Sequence, residues 1–282
     1  MKKKIILIDG SFYLYRAYYA LPNLVNSKGH PTGAIYGFVR MLKKIVSMNI
    51  NSYFLIVFDT KGISYRKKIF NNYKSQRANM PGNLIIQIKP LLKIIQAMGY
   101  FVLYIKNVEA DDIIGTISVQ AEKENYFVYI FSTDKDIAQL VTKNIKIINP
   151  YNYSVLGSKE IYNRYGVMPE LISDLLALIG DPVDNIPGIP GIGNKTGKIL
   201  INTLGNLKFI YKNIDYIENI TIKGIKNIKK KLIKYKNLVF LFHKLTKIKT
   251  NIDIHHIDFN DLNLKPQVKY LKYLFQKYEF NI

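Results

Sequence analysis

The chain has 282 residues, 48% of them hydrophobic, and sets 41 lysines and arginines against 20 aspartates and glutamates for a formal net charge of +21. That length buries a sizeable core and suits one large domain or two modest ones; the charge favours a polyanionic partner, although lysine also belongs to the Ile-, Asn-, Tyr- and Phe-rich composition that AT-rich codons produce. The absence of cysteine excludes disulfides, a thiolate zinc site and a thiol nucleophile, and no stretch reaches the roughly 18 to 20 apolar residues of a membrane span, which together suit a cytoplasmic location.

Residues 4–9 (KIILID) read as a buried strand ending in Asp9, and 11–20 as a helix carrying Tyr13 and Arg16. Thr32-Gly33 opens a helix whose apolar face is Ile35, Phe38, Leu42, Ile45 and Val46. Residues 53–58 (YFLIVF) form a second strand, again followed by an aspartate, Asp59. Continuous apolar runs of this kind suit a parallel sheet covered by helices on both faces. From 62 to 82, basic and aromatic residues interleave, among them Tyr65, Arg66, Lys67, Lys68, Phe70, Tyr73, Lys74 and Arg77. Two readings stand for that segment. It is a solvated, partly helical excursion, or it is a cover over the sheet's edge that grips single-stranded nucleic acid, with cations on phosphates and rings on bases.

A helix over 84–98 and a strand over 100–105 lead into Glu109-Ala110-Asp111-Asp112, the start of a helix through Ile113, Ile114, Ile117 and Ala121. Acids in a first helical turn are ordinary, because the exposed N–H groups favour them. The strand over 126–131 runs into Ser132-Thr133-Asp134-Lys135-Asp136, where Asp136 could simply cap a short helix over 137–141. After one more strand over 145–148 and a tyrosine-rich loop over 150–157, strands largely end. A helix over 169–179 meets Gly180-Asp181-Pro182-Val183-Asp184, in which Asp181 also reads as an N-cap. The Gly/Pro hairpin 187–196 opens a helix over 198–204. Its glycines let backbone N–H groups approach a phosphate, with Lys195 and Lys198 alongside. A lysine-rich helix over 223–236 and a helix around 268–275 complete the chain. His30, His243, His255 and His256 lie far in sequence from every acidic group and suggest neither a triad nor a zinc site.

Asp9, Asp59, the Glu109/Asp111/Asp112 set and Asp134/Asp136 each follow a predicted strand, which in an open α/β sheet places them on the ligand-binding edge. With Asp181 and Asp184, nine of the 20 acids are accounted for. Bare anions so crowded would raise one another's pKa and destabilise the fold, and divalent cations resolve the conflict. Oxygen ligands without cysteine or histidine point to Mg²⁺ or Mn²⁺, and the number of acids suggests two ions, the arrangement of in-line phosphoryl chemistry. Glu109 and Asp112, three apart, are expected to share a face toward the edge, with Asp111 directed elsewhere and binding through water. A metal-dependent phosphodiesterase with a basic, aromatic cover and a backbone phosphate clamp follows.

The segments LIDGSFYLYRAYYA, PTGAIYGF, VFDTKG, NYKSQR, VEADDIIGT, STDKDIAQL and ALIGDPVDNIPGIPGIGNKTG, with KYEF near the C-terminus, resemble the 5′ nuclease domain at the N-terminus of bacterial DNA polymerase I, related to flap endonucleases. No polymerase domain follows, so the chain is read as a stand-alone 5′ exonuclease. The resemblance implies a PIN-like α/β domain over 1–167, a mostly parallel sheet flanked by helices with a helical arch at about 62–83. It further implies an all-helical domain over 168–282 with a helix-three-turn-helix DNA clamp. It assigns one metal group to Asp9, Asp59, Glu109 and Asp111 or Asp112, and a second to Asp134, Asp136, Asp181 and Asp184. It puts Lys74 and Arg77 near the scissile phosphate, Arg16 on the substrate and Tyr73 against a base. Gly188, Gly191, Gly193, Lys195, Thr196 and Lys198 belong to the clamp, whose loop over 189–193 would hold a K⁺. Ala78-Asn79 and Thr133 depart from the family's usual proline pair and glycine. The implied activity is a two-metal 5′-3′ exonuclease or flap endonuclease acting on 5′ flaps and on nicked or RNA-primed duplex, in primer removal and repair. The implied protein is a monomer, with a separate DNA polymerase as a possible partner. A non-catalytic DNA-binding scaffold and a PIN-type ribonuclease are the alternatives. The first should lack a ligand, and the second needs neither arch nor clamp.

Overall fold

A computed structural model describes residues 3–254, 257–262 and 265–280; His255 and His256 lie outside them. In chain order the elements are β1 (Lys4–Asp9), α1 (Gly10–Ala20), α2 (Gly33–Met48), β2 (Tyr53–Val57), α3 (Tyr65–Ile69), α4 (Gly82–Ala97), β3 (Phe101–Leu103), α5 (Ala110–Lys123) and β4 (Phe127–Phe131). They continue with β5 (Ile145–Ile148), β6 (Val155–Leu156), α6 (Ser158–Tyr165), α7 (Ile172–Ile179), α8 (Asn194–Leu204), α9 (Leu207–Lys212), α10 (Ile225–Lys234), α11 (Lys236–Thr246) and α12 (Val268–Tyr278).

The sheet runs β3-β2-β1-β4-β5-β6, parallel except for β6. The chain builds outward from β1 to β3 and then crosses to β4 on the other side of β1. The resulting switch point opens a crevice at the carboxyl ends of β1 and β4, the usual ligand position in such sheets. Side chains alternate across the sheet, so the apolar run of β1 feeds two cores. Ile5 and Leu7 meet α5 through Ile113, Ile114 and Ile117. Ile6 and Ile8 face Phe38, Leu42 and Ile45 of α2 and Leu91 and Ile95 of α4. Both faces are covered, which is why these strands need no polar alternation.

The helical part, α7 to α11, joins the α5 side of the core through residues such as Leu178, Leu200, Leu232 and Phe242. Its hairpin is drawn tight where Gly188 (φ +66°) meets Gly180 (φ +86°): a Cβ at Gly188 would lie 2.3 Å from the Gly180 nitrogen. The last helix does not stay with this part. The Gln267 N–H donates to the Ala97 carbonyl at 2.8 Å, and Leu274 and Phe280 sit in the core on the α2/α4 side of the sheet. Glu279 accepts from the Ser27 backbone N–H at 2.8 Å and from its hydroxyl. Spatially, then, the expected unit over 168–282 is interrupted, because its final helix belongs to the sheet domain.

The arch segment folds as one short helix, α3, capped by Ser64, which accepts from the Lys67 N–H, followed by turns in which Lys74 adopts φ +52°. The segment is partly helical and largely exposed, but Arg66 and Tyr73, each 3% exposed, anchor it to the protein.

Candidate active site

The ends of β1, β2 and β4, and the turn after α7, each deliver a carboxylate by a local device. Asp9 ends β1 and caps α1: its Oδ1 accepts from the Phe12 N–H at 2.9 Å and its Oδ2 from the Ser132 hydroxyl at 3.0 Å. Asp59, just past β2, caps α5 by accepting from the Ala110 N–H at 2.8 Å. Asp134 accepts from the Asp136 N–H at 2.8 Å beyond β4. Asp181 accepts from the Val183 N–H at 3.0 Å in the turn after α7. Capping therefore operates at several of these acids and also aims them.

A cavity of about 1130 Å³ opens at this edge, lined by Asp9, Asp59, Glu109, Asp111 and Asp134 together with Lys74, Arg77 and Tyr73 from the arch. Beside it, Asp136, Asp181 and Asp184 each offer a carboxylate oxygen within 4.8 Å of the others. Lys74 joins the two groups, donating to Glu109 at 2.9 Å and lying 3.8 Å from Asp184. Arg77 donates to Asp184 at 2.8 Å, and Lys135 donates to Asp181.

Burial dominates the electrostatics. It pushes the Asp9 carboxyl up to about 7, with Asp59 and Asp134 adding to the rise. Asp111, Asp134 and Asp136 are also raised, by burial first and then by one another or by Asp184. Glu109 goes the other way. Burial opposes its charge, but Lys74 and Arg66 outweigh burial and hold it at about 2. Burial would likewise lower Lys74, yet Glu109, Asp184 and Asp111 carry it to about 12. One atom stands out: the buried Asp136 Oδ1 has no hydrogen-bond partner. A buried lone oxygen among carboxylates reluctant to ionise fits a cation site, since an oxygen-ligated divalent ion would satisfy the atom and favour the charged forms.

Several expected residues sit elsewhere. Asp112, expected to share a face with Glu109, is instead in a buried ion pair with Arg66, while Asp111 is the residue that lines the cavity. The reason is that Glu109 is the N-cap, with φ −77° and ψ 144°, so helical spacing does not relate it to Asp112. Tyr73, expected to stack on a base, is buried and donates its hydroxyl to Glu109 at 3.0 Å. Arg16 donates to the Pro150 carbonyl at 2.8 Å and lies 4.3 Å from the centre of the Tyr151 ring, apart from the carboxylates. In the hairpin, Gly188 is buried, whereas Gly191, Gly193 and Lys195 are exposed and Thr196 and Lys198 are half-buried. Three contributors went unassigned from the sequence. Lys135 had a signal, lying between two aspartates, and Ser132 opens the same segment; Arg66 had none beyond its place in a basic run.

Anions gathered to receive cations, facing lysine and arginine able to receive a polyanion, define a nucleic-acid phosphodiesterase. Residues 4–166 match the pattern described as 5′-3′ exonuclease, N-terminal resolvase-like domain, and 167–269 match the 5′-3′ exonuclease, C-terminal SAM fold. The chain is 42% identical to a 5′-3′ exonuclease of Buchnera aphidicola subsp. Schizaphis graminum over 99% of its own length and 98% of the relative's. It is 40% identical to DNA polymerase I of Pseudomonas aeruginosa, over 98% of this chain and 30% of that one. The chain therefore belongs to the 5′-3′ exonuclease family. Among solved structures, the T5 D15 protein co-crystallised with metal ions matches with a TM-score of 0.72 at 22% identity, over 97% of this chain and 99% of that one. At that identity the match speaks for the fold.

Proposed function

We propose that this 5′-3′ exonuclease hydrolyses phosphodiester bonds near 5′ ends and flap junctions of duplex DNA using two divalent cations, Mg²⁺ or Mn²⁺. The observation that carries the reading is the meeting of two carboxylate groups, Asp9/Asp59/Glu109/Asp111 and Asp134/Asp136/Asp181/Asp184, under the basic side chains of the arch. Bound there, the cations would supply charge neutralisation and an activated water for in-line attack, leaving 5′-phosphate and 3′-hydroxyl ends. Asp136, with its unpartnered oxygen, is the residue best suited to the second group.

The chain's own residues do the rest. Lys74 and Arg77 are paired with Glu109 and Asp184. On binding they trade those carboxylates for the scissile phosphate, so that positive charge reaches the transition state without a net change in the site. Tyr73 holds Glu109 in place. Arg16, on α1 beside Pro150 and Tyr151, would meet the substrate strand. Gly191, Gly193, Lys195, Thr196 and Lys198 would hold duplex backbone and Gly188 shapes the hairpin, and the 189–193 loop would hold a K⁺ that supplies positive charge for the DNA backbone.

RNA primer removal and repair are the tasks this activity suits, alongside a separate polymerase, by a monomer in the cytoplasm. No helix among the described residues is long and apolar enough to cross a membrane. Cleavage of a 5′-flap duplex and of an unstructured RNA strand, each with Mg²⁺ and with EDTA, tests the reading. Cation-dependent cleavage of the flap alone is expected, whereas equal cleavage in EDTA, or preference for the RNA, defeats it.

A further inference from the structure

Asp112 lies in the most acidic stretch of the sequence yet turns away from the other carboxylates. Arg66 takes it in both forks: Nη1 donates to Oδ2 at 2.8 Å and Nη2 to Oδ1 at 2.7 Å. The same guanidinium donates from Nε to the Leu245 carbonyl at 2.7 Å and from Nη2 to the Lys247 carbonyl at 2.8 Å. The Lys249 N–H donates to Asp112 Oδ1 at 2.9 Å. Arg66 is 3% exposed and Asp112 4%. Three parts of the fold therefore meet at one ion pair: α3 at the root of the arch, the first turn of α5, and the 245–249 strap leaving α11. Arg66 Nη1 also stands 3.6 Å from Glu109.

A carboxylate held this way is poorly placed to serve a metal. Drawing it toward a cation would strand a buried guanidinium, and losing one partner of a buried pair is strongly unfavourable. A bidentate pair also fixes direction as well as distance. Successive helical residues differ by about 100° around the axis, so pinning Asp112 to one side of the turn sends Asp111 toward the cavity.

We infer that Arg66 and Asp112 are positioning residues: their pair locks the first turn of α5 so that Asp111 and Glu109 face the site, ties that turn to the strap of the helical domain, and leaves Asp112 outside the metal ligands. The inference rests on the nuclease reading above. Its test uses Arg66→Met, Asp112→Leu and the double variant in the full chain. Apolar pairs of similar volume commonly replace buried ion pairs without loss of the fold. Asp112→Asn, which keeps the shape, covers the case in which a single variant does not fold, and circular dichroism checks each protein.

Mn²⁺ bound per chain is counted by electron paramagnetic resonance, and cleavage of a 5′-flap duplex is followed in single turnover at saturating DNA. The expected result is a full Mn²⁺ complement in every folded variant. Cleavage should fall about ten- to a hundredfold, as when the outer partners of metal ligands are removed. The loss should lie in the rate and not in KM, and the double variant should be no worse than either single. Loss of one Mn²⁺ whenever Asp112 is replaced, while Arg66→Met keeps the full number, overturns the inference, as does wild-type cleavage by the double variant. A wild-type chain that neither binds Mn²⁺ nor cleaves the flap defeats the nuclease reading itself, and this inference with it.

Discussion

Removing divalent cations with EDTA and raising the pH from about 5 to about 8 should lower the melting temperature of the chain. Asp9 sets the magnitude. Its folded carboxyl lies at about 7 against an ordinary 3.8, pushed there by burial and then by Asp59 and Asp134. A carboxyl raised on folding keeps in the folded state a proton that the unfolded chain has released. The penalty is therefore absent below 3.8, grows through the interval and is complete above about 7. For Asp9 the whole interval amounts to about 4 kcal/mol, and the part above pH 5 to roughly 3 kcal/mol. Asp111, Asp134 and Asp136 shift in the same direction. Glu109 does not disturb the reading. Held at about 2, it contributes stability present above 4.5 and lost only as the pH falls toward 2. For a chain of this length the Asp9 share is a fall of about 6 to 10 °C. Melts followed by circular dichroism in EDTA across this range, repeated with Mg²⁺, measure it. Mg²⁺ should flatten the slope, because a ligand bound only by the folded state stabilises it most where its carboxylates are ionised. A melting temperature in EDTA that stays level or rises over that range refutes the reasoning.

Three further outcomes follow from the geometry. Lys74→Ala should slow single-turnover flap cleavage by about 10² to 10³, the usual effect of removing one fixed donor from a transition state; a wild-type rate would remove Lys74 from the chemistry. Gly193→Val should lower the melting temperature only slightly, by the loss of a favourable N-cap of α8, since a Cβ there meets no atom within 4 Å. It should also weaken duplex binding and lower the salt slope by about one, and an unchanged slope would take the hairpin out of the interface. Gly188→Val should cost about 2 to 4 kcal/mol, from a clash with Gly180 and a left-handed backbone at φ +66°; stability equal to wild type would contradict the close approach.

Much of the fold was legible because its central strands β1, β2 and β4 read as unbroken apolar runs, each followed by an acid. Strand-end acids such as Asp9, Asp59 and Asp134 could be assembled on one edge from that regularity alone. Orientation was not legible. Whether Asp111 or Asp112 faces the site depends on where α5 begins, and Glu109, just outside the helix, breaks the spacing argument. Arg66 was hidden for a different reason: among 41 basic residues, a buried cation looks like a solvated one until its partner 46 positions away is known. Tyr73 likewise carried the composition of a base-stacking ring and the surroundings of a core residue. The sequence reading was silent on α6, α9 and α11, and β6 is too short to produce a pattern.

The return of α12 to the sheet domain bears on how this protein is made. Ser27 and Glu279 are hydrogen-bonded across 252 positions, and Leu274 and Phe280 help to fill the core laid down by β1, α2 and α4. During synthesis that side of the sheet stays incompletely covered until nearly the whole chain has left the ribosome, with its apolar surface available to chaperones meanwhile. The first domain to begin folding is thus among the last to finish, and a chain stalled or clipped before residue 268 would carry a complete set of acids on an unfinished core.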